Sequence, residues 1–231
     1  MPENRPTFTS RLTKKEYIAA LIYLPLHVIS LPALVAVLIF GINDDLTLNL
    51  ISYAFATLYM LLLLGRFLRR DFDALCDGPV RFIIEIGVSY GLYYLSNFVV
   101  VGILVALNRL DNPNNGAVID MALNNRRQIF IMTVFMAPLV EELMFRAGIF
   151  GLLRRYNRPV AYAVSMLLFS VYHIWGYAMG NPSNWIYIIQ YLPVSFLLCR
   201  CYERCNSIWG SMGLHMLVNA VSMWAINMVA G

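Results

Sequence analysis

The stretch that decides the fold reads Ala137-Pro138-Leu139-Val140-Glu141-Glu142-Leu143-Met144-Phe145-Arg146. It puts two carboxylates and a guanidinium inside an apolar run from residue 129 to residue 153, where removing a charge from water costs several kcal/mol. On a helix, Glu142 and Arg146 share one face, and Glu141 is rotated from Glu142 by about 100°. The spacing therefore predicts that Arg146 pairs with Glu142 and leaves Glu141 free. Because Pro138 has no backbone N–H, we also predict a kink just before the pair.

The composition around this stretch indicates an integral membrane protein. The chain has 231 residues, of which 60% are hydrophobic and 13% are charged, and its mean hydropathy is +0.65. Soluble domains are about 25% charged. The length fits one helical bundle, so we predict a single domain over residues 1–231. The four cysteines form no C-x-x-C motif, and we predict no disulfide framework.

Seven apolar stretches have about the length of 20 residues that crosses a bilayer as a helix. They are Tyr17–Ile42, Leu46–Leu64, Phe82–Leu107, Gln128–Leu153, Val160–Tyr177, Trp185–Cys201 and Ser207–Val229. The first is too long for the apolar part of a signal peptide and is predicted to be a retained span. The predicted fold class is all-α, a polytopic transmembrane helical bundle with about seven spans.

The distribution of lysine and arginine predicts the orientation of this bundle. With the N-terminus inside, thirteen of the 17 basic residues, Arg5 among them, fall in inner segments and three fall in outer segments. Cytoplasmic loops carry this excess of positive charge, so the N-terminus is predicted to be cytoplasmic. Because topology explains the basic loops, we predict contact with membrane lipid and no binding of nucleic acid.

The longest outer connection runs from Asn108 to Arg127. Its first half, Asp111-Asn112-Pro113-Asn114-Asn115-Gly116, is dense in turn-forming residues. We predict a mobile connector here, with a gating role as the alternative.

The three histidines differ in their surroundings. His27 has no carboxylate nearby in the sequence, and we interpret it as structural, bonded to a carbonyl across a helix interface. His173 lies one turn beyond Phe169, and His215 shares a helix face with Asn219. Three separate spans thus contribute a glutamate pair, a histidine and a His/Asn pair, which predicts a shared polar cavity inside the bundle.

These residue types allow three interpretations. A glutamate bonded to a histidine can activate water, and an amide with an imidazole N–H can stabilise an oxyanion, which suffices for amide hydrolysis. Alternatively, Glu141, His173 and His215 can hold Zn²⁺ with an open water position. The third interpretation is an interhelical hydrogen-bond network without chemistry.

The three motifs Glu141-Glu142-x-x-x-Arg146, Phe169-x-x-x-His173 and His215-x-x-x-Asn219, in this order within residues 128–229, resemble the CPBP family. This family comprises the CAAX prenyl proteases and bacteriocin-processing enzymes and is also called Abi. The resemblance implies an intramembrane endopeptidase similar to the Ras-converting CAAX protease, with residues 128–229 as the catalytic core.

The resemblance also implies roles for the motif residues. Glu141 and His173 would activate the water, His215 and Asn219 would form the oxyanion site, and Glu142 with Arg146 would support them. The family is often named as metalloproteases, although relatives look like glutamate-dependent enzymes without a catalytic metal. No cofactor is therefore firmly implied, and zinc on Glu141, His173 and His215 stays the alternative. Relatives often have eight helices, one more than the seven predicted here.

Two other functions stay open at this point. One is a non-catalytic membrane scaffold or immunity protein on the same fold. The other is a proton-coupled transporter, which is less favoured because the sequence has no internal repeat. The expected partner of a protease is a peptide or protein substrate, lipidated or membrane-bound. A short chain with little beyond the motif core is typical of prokaryotes, so the expected location is a prokaryotic plasma membrane.

Overall fold

A computed structural model describes residues 8–230 and, in this range, all side chains except those of Ala74, Asn227, Val229 and Ala230. Arg5, one of the predicted inner basic residues, lies outside this range. The described part of the chain is helical without strands, which confirms the all-α class. Its helices are α1 (Lys14–Val28), α2 (Leu31–Phe40), α3 (Asp45–Cys76), α4 (Pro79–Ala106), α5 (Pro113–Asn124), α6 (Arg126–Leu153), α7 (Arg158–Gly180), α8 (Ile188–Cys205) and α9 (Ile208–Ala230).

The first predicted span is not one straight helix. Helices α1 and α2 meet at an angle of 50°, because Ser30 between them has a left-handed φ of 48° and Pro32 occupies the first turn of α2. Pro32 has no N–H to bond the carbonyl four residues earlier and its ring clashes with that carbonyl, so two helices form where the apolar run predicts one. The last turn of α1 carries His27 into the bundle interior, where its side chain is buried.

The predicted mobile connector contains a helix of its own. Residues 113–124 form α5, whose first turn is capped by the side chain of Asn112. Asn112 and Asn114 both donate hydrogen bonds to the Tyr191 hydroxyl, at 3.2 and 3.0 Å. Asparagine and proline are common in turns, but Asn-Pro is also the start signal of a helix. The turn-forming residues therefore do not predict this helix, and the mobility of the connector stays a prediction.

Helix α6 is the centre of the bundle. In its most apolar window 61% of residues are buried inside the protein, against 17–44% in the other long apolar helices, and it contacts α1, α3, α7, α8 and α9. It contains two wide π-helical turns, Met132–Met136 and Glu142–Phe150. The N–H of Ala137 reaches back five residues to the Met132 carbonyl. The sequence predicts a kink at Pro138, and the structure has a π turn just before this residue. Such turns are found often at functional sites.

Five described helices are long and apolar enough to cross a membrane, and the bent α1–α2 pair makes a sixth if it counts as one span. Helix α9 has 23 residues, or about 34 Å at 1.5 Å per residue. It is long enough to span, but Ser211, His215 and Asn219 reduce its apolarity. The protein is thus a multi-pass helical membrane protein, and the count of seven stays a prediction.

The basic segments predicted to be cytoplasmic meet at one end of the bundle. Arg11 pairs with Asp71 at 2.8 Å and Arg70 pairs with Glu16 at 2.6 Å. At the same end, Arg154 and Arg158 pair with Glu203, and Arg200 and Arg204 pair with Glu85. These contacts join the loops into one charged layer, which is compatible with the predicted orientation.

Candidate active site

Helix α6 carries Glu141 into the interior with only 3% of its surface exposed. Its Oε1 accepts a hydrogen bond from the Tyr53 hydroxyl at 3.0 Å. Its Oε2 has no hydrogen-bond partner among the described residues. That oxygen lies 3.7 Å from Nε2 of His173 and 3.9 Å from Nε2 of His215. These distances are longer than a hydrogen bond and short enough for a shared water molecule.

The neighbouring Glu142 is fully buried and faces the other way. Its Oε1 lies 3.3 Å from Nη1 of Arg146 and 2.9 Å from Nδ1 of His215, and its Oε2 accepts a hydrogen bond from Ser211. Arg146, also fully buried, donates to the Ser195 hydroxyl at 3.0 Å and lies over the Phe169 ring. The i, i+4 pair predicted from the sequence is therefore present, and it leaves Glu141 outside the pair.

Both histidines are held in one orientation by the nitrogen that faces away from Glu141. Nδ1 of His173 bonds to the Phe169 carbonyl at 2.8 Å, and Nδ1 of His215 bonds to the Glu142 carboxylate. A carbonyl or a carboxylate only accepts, so each Nδ1 carries the hydrogen. Each Nε2 then points toward Oε2 of Glu141. The His173 ring is further fixed by stacking on Tyr191, with ring centroids 4.6 Å apart.

Asn219 lies one turn beyond His215 on α9 and lines the same cavity. Its Nδ2 donates to the Thr133 carbonyl at 2.7 Å. An amide nitrogen has two hydrogens, so a second one stays available to a ligand.

A cavity of about 1000 Å³ is lined by Glu141, His173, His215 and Asn219. Its lining combines apolar residues such as Val194, Val218 and Met223 with polar residues from α5 and the start of α3. A cavity of this size accommodates a peptide segment with several side chains. The three predicted motifs thus open on one cavity, although they come from three separate helices.

The buried cluster holds more acidic side chains than basic ones. Glu141 and Glu142 supply two negative charges and Arg146 one positive charge. An unbalanced charge is costly in the interior of a membrane protein. Arg146 pairs with Glu142, so Glu141 is the buried carboxylate of this cluster that has no arginine beside it.

The ligand types of Glu141, His173 and His215 suit zinc, but their spacing does not. Both imidazoles have an acceptor on Nδ1, as metal-binding histidines do. Two ligands of one tetrahedral zinc, each about 2.1 Å from the ion, are about 3.4 Å apart. The observed separations of 3.7 and 3.9 Å are wider. Across the side chains that the structure describes, no group of three His, Cys, Asp or Glu residues could hold a metal ion.

Sequence reasoning missed several residues of this site. Tyr53 and Tyr172 are two of 14 tyrosines and have no pattern that distinguishes them. His27 was interpreted as a histidine bonded to a carbonyl, but its Nε2 lies 2.9 Å from the Tyr172 hydroxyl and the residue lines the cavity. Ser211 lies one turn before His215, and this i, i+4 spacing is the signal that could have identified it.

Comparisons with known proteins identify the same part of the chain. Residues 124–221 match the model of a family described as type II CAAX prenyl endopeptidase Rce1-like. This segment contains all six predicted site residues, and the match confirms the resemblance to the CPBP family that the motifs indicate. No solved structure matches the chain at a significant level.

Curated relatives are bacterial proteins of the UPF0177 group. The chain is 34% identical over 92 residues to UPF0177 protein YxdF of Lactococcus lactis subsp. lactis (strain IL1403), which covers 40% of this chain and 46% of that protein. It is 33% identical over 92 residues to UPF0177 protein YaiH of the same strain, covering 40% of this chain and 35% of that protein. The match thus spans less than half the length of each relative.

Proposed function

We propose that this chain is an intramembrane endopeptidase that hydrolyses a peptide bond with a water molecule held by Glu141 and His173. The observation that supports this most is the approach of Glu141 Oε2 to both His173 Nε2 and His215 Nε2, at 3.7 and 3.9 Å, on the wall of a large cavity. The family match of residues 124–221 supports the same reaction class.

In the proposed reaction, Glu141 accepts a proton from the water while the water oxygen attacks the peptide carbonyl carbon. His173 keeps the water in place through the lone pair of Nε2. The tetrahedral intermediate then expels the amine, and Glu141 returns the proton to the leaving nitrogen as the C–N bond breaks. The direct products are a carboxylic acid and an amine, and transfer of one proton between them gives a carboxylate and an ammonium, so no proton or electron is left over.

The oxyanion of the intermediate is assigned to His215 and Asn219. Because Nδ1–H of His215 is directed to Glu142, Nε2 can donate only if the ring is an imidazolium. An imidazolium at this position balances the charges of Glu141, Glu142 and Arg146, so it suits the buried site. The second amide hydrogen of Asn219 would be the other donor.

Glu142 and Arg146 are assigned a supporting role. Their contacts hold the His215 ring and fix the turn of α6 that presents Glu141. No step of this scheme requires a metal ion. Zinc on Glu141, His173 and His215 stays the alternative, and their present spacing would have to contract for it.

The proposed substrate is a peptide or a protein that is lipidated or embedded in the membrane, because the cavity lies among membrane-spanning helices. The proposed location is a prokaryotic plasma membrane, in keeping with the bacterial origin of the curated relatives.

The test is cleavage of a library of quenched fluorescent peptides, with and without prenyl groups, by the purified protein in lipid nanodiscs. Glu141→Gln keeps the size of the side chain and removes the base, so we expect a loss of at least about 100-fold in rate. Asp73→Asn is the matched control, because Asp73 is an exposed carboxylate at the end of α3, and it should cleave like the wild type.

Cleavage that persists in Glu141→Gln would refute the assignment of the base. If folded wild-type protein cleaves no member of the library and no peptide accumulates in cells that carry Glu141→Gln, a non-catalytic scaffold becomes the better reading.

A further inference from the structure

A continuous chain of hydrogen bonds leads away from the carboxylate of Glu141. The Tyr53 hydroxyl lies 3.0 Å from Oε1 of Glu141 and 3.2 Å from the Tyr172 hydroxyl. The Tyr172 hydroxyl lies 2.9 Å from Nε2 of His27. The chain thus links four elements in the order α6, α3, α7 and α1. The hydrolysis scheme above uses none of these three hydrogen bonds.

The number of hydrogens fixes the direction of every bond when Glu141 is ionised. A carboxylate only accepts, so Tyr53 donates its single hydroxyl hydrogen to Oε1. The Tyr53 oxygen must then accept from Tyr172, and the Tyr172 oxygen must accept from Nε2–H of His27. His27 is therefore the donor that starts the chain. Its Nδ1 is buried with no hydrogen-bond partner among the described residues, so no competing contact on that nitrogen turns the ring.

Packing of the aromatic rings holds these hydrogen-bonded side chains in place. His27 stacks on Tyr172 with centroids 5.6 Å apart and meets the Tyr53 ring edge-on at 5.3 Å. Tyr23, which is 1% exposed, packs against the other side of His27. Because His27 lies in the last turn of α1, directly before the bend at Ser30, the end of α1 is part of the support.

The bond from Tyr53 determines which oxygen of Glu141 faces the histidines. The terminal torsion of a glutamate is broad and nearly two-fold, so an unsupported carboxylate samples many orientations. With Oε1 held by Tyr53, Oε2 is directed at Nε2 of His173 and of His215.

We propose that Tyr53 is a positioning residue for Glu141, and that Tyr172 and His27 act through it by fixing the direction of its hydroxyl. This inference rests on the proposed function, since it gives Glu141 the role of base. Tyr53 and His27 lie outside the segment that matches the family, residues 124–221, so they are features of this chain in addition to that match.

The first experiment removes one oxygen and compares kcat with KM. Tyr53→Phe keeps the ring and loses the hydroxyl, so the carboxylate turns freely. We expect kcat to fall by about 10- to 100-fold, with KM changed less than about two-fold because the cavity wall is intact. Tyr59→Phe is the matched control. It removes another hydroxyl of α3, which donates a hydrogen bond of 3.0 Å to the Ala19 carbonyl. This bond lies outside the cavity, so kcat should be unchanged.

The second experiment tests whether the residues act in series. If Tyr172 acts only through Tyr53, the double variant Tyr53→Phe/Tyr172→Phe has the kcat of Tyr53→Phe alone, whereas independent effects would multiply. His27→Leu should also lower kcat, and His27→Gln should restore part of it, because its amide N–H can replace Nε2–H. A role in packing alone would predict lower melting temperatures, multiplicative effects and no rescue by glutamine.

The outcomes separate this proposal from the proposed function. If the wild type cleaves in a Glu141-dependent way and Tyr53→Phe has the wild-type kcat, the positioning role is wrong and the protease stands. If neither the wild type nor any variant cleaves, the carboxylate orientation can be tested by infrared spectroscopy. The difference spectrum between the wild type and Glu141→Gln identifies the carboxylate stretching band of Glu141. That band should shift in Tyr53→Phe and stay in place in Tyr59→Phe. An unshifted band in Tyr53→Phe would overturn the proposal.

Discussion

At the scale of single residues, the fully buried pair of Glu142 and Arg146 connects stability to the site. Arg146 lies between the carboxylate of Glu142, the Ser195 hydroxyl and the Phe169 ring. Glu142 in turn holds Nδ1 of His215. Loss of the guanidinium would leave the carboxylate that holds this imidazole buried without its arginine partner.

Arg146→Ala should therefore lose folded protein as well as activity. Removing one partner of a buried ion pair costs about 3–5 kcal/mol. The measurement is the extraction yield and the thermal unfolding in detergent. Arg158→Ala is the control, because its pair with Glu203 is 60% exposed on the arginine side and exposed pairs contribute about 0–1 kcal/mol. An Arg146→Ala protein that melts like the wild type would show that the pair has little structural weight.

A second prediction at this scale concerns metal. We expect activity to be independent of a bound transition metal, because Oε2 of Glu141 lies farther from Nε2 of His173 and of His215 than two ligands of one zinc lie from each other. Elemental analysis of active protein and inhibition by a series of strong chelators check this. One tightly held zinc per chain, with activity lost on stripping and restored by Zn²⁺, would make Glu141, His173 and His215 its ligands.

The sequence could predict the motif residues of the site but not their neighbours. An ionisable side chain in an apolar run is conspicuous because its burial is costly, which is why Glu141, Glu142 and Arg146 stand out. A tyrosine fits equally well in a core, at an interface or beside a carboxylate. Tyr53 and Tyr172 therefore give no signal, since their role depends on which helices become neighbours.

At the scale of elements, close approach of helix ends limits which substitutions the bundle accepts. A Cβ added to Gly210, at the start of α9, would lie 2.5 Å from Sγ and 2.7 Å from Cβ of Cys205 at the end of α8. The Cβ atom cannot move without the backbone. The turn between α8 and α9 therefore needs glycine at this position.

Gly210→Ala should destabilise the protein by about 1–3 kcal/mol, as overpacking does. The comparison is Gly91→Ala on α4, where an added Cβ meets nothing within 4 Å and helix propensity favours alanine. Thermal unfolding in the same detergent measures both. Equal melting temperatures for the two variants would contradict the close contact.

Element boundaries could be predicted where a span is uniform and failed where one residue type changes the backbone. The predicted span Gln128–Leu153 agrees with α6 within two residues at its start. The predicted first span instead divides at Ser30, because the left-handed conformation there depends on local backbone energies that hydropathy does not measure. Helix α5 was missed because its asparagines and proline occur in both turns and helix starts.

At the scale of the whole molecule, the charged layer at one end predicts which side of the membrane that end faces. Cytoplasmic loops are rich in lysine and arginine. Cys76, at the end of α3, lies near this layer and is the exposed free cysteine among those described, while Cys199, Cys201 and Cys205 are buried.

Cys76 should react with a membrane-impermeant maleimide only after cells are permeabilised. The control is Asn124→Cys in a Cys76→Ser background, since Asn124 is an exposed residue at the end of α5 on the opposite side, and it should react in intact cells. Labelling of Cys76 in intact cells would reverse the predicted orientation.

The fold class and the convergence of the three motifs could be predicted from composition and spacing. The span count could not, because it depends on how polar a helix such as α9 can be and still cross the membrane.

If the proposed function holds, the cavity also determines how the reaction obtains its water. At about 30 Å³ per molecule in the liquid, its volume of about 1000 Å³ corresponds to on the order of thirty water molecules. The asparagine, serine and aspartate side chains that α5 and α3 contribute can keep such a reservoir hydrated within the bilayer. A solute too large to enter would withdraw this water osmotically, so the rate of the proposed hydrolysis should respond to osmotic pressure, although the cavity lies among apolar helices.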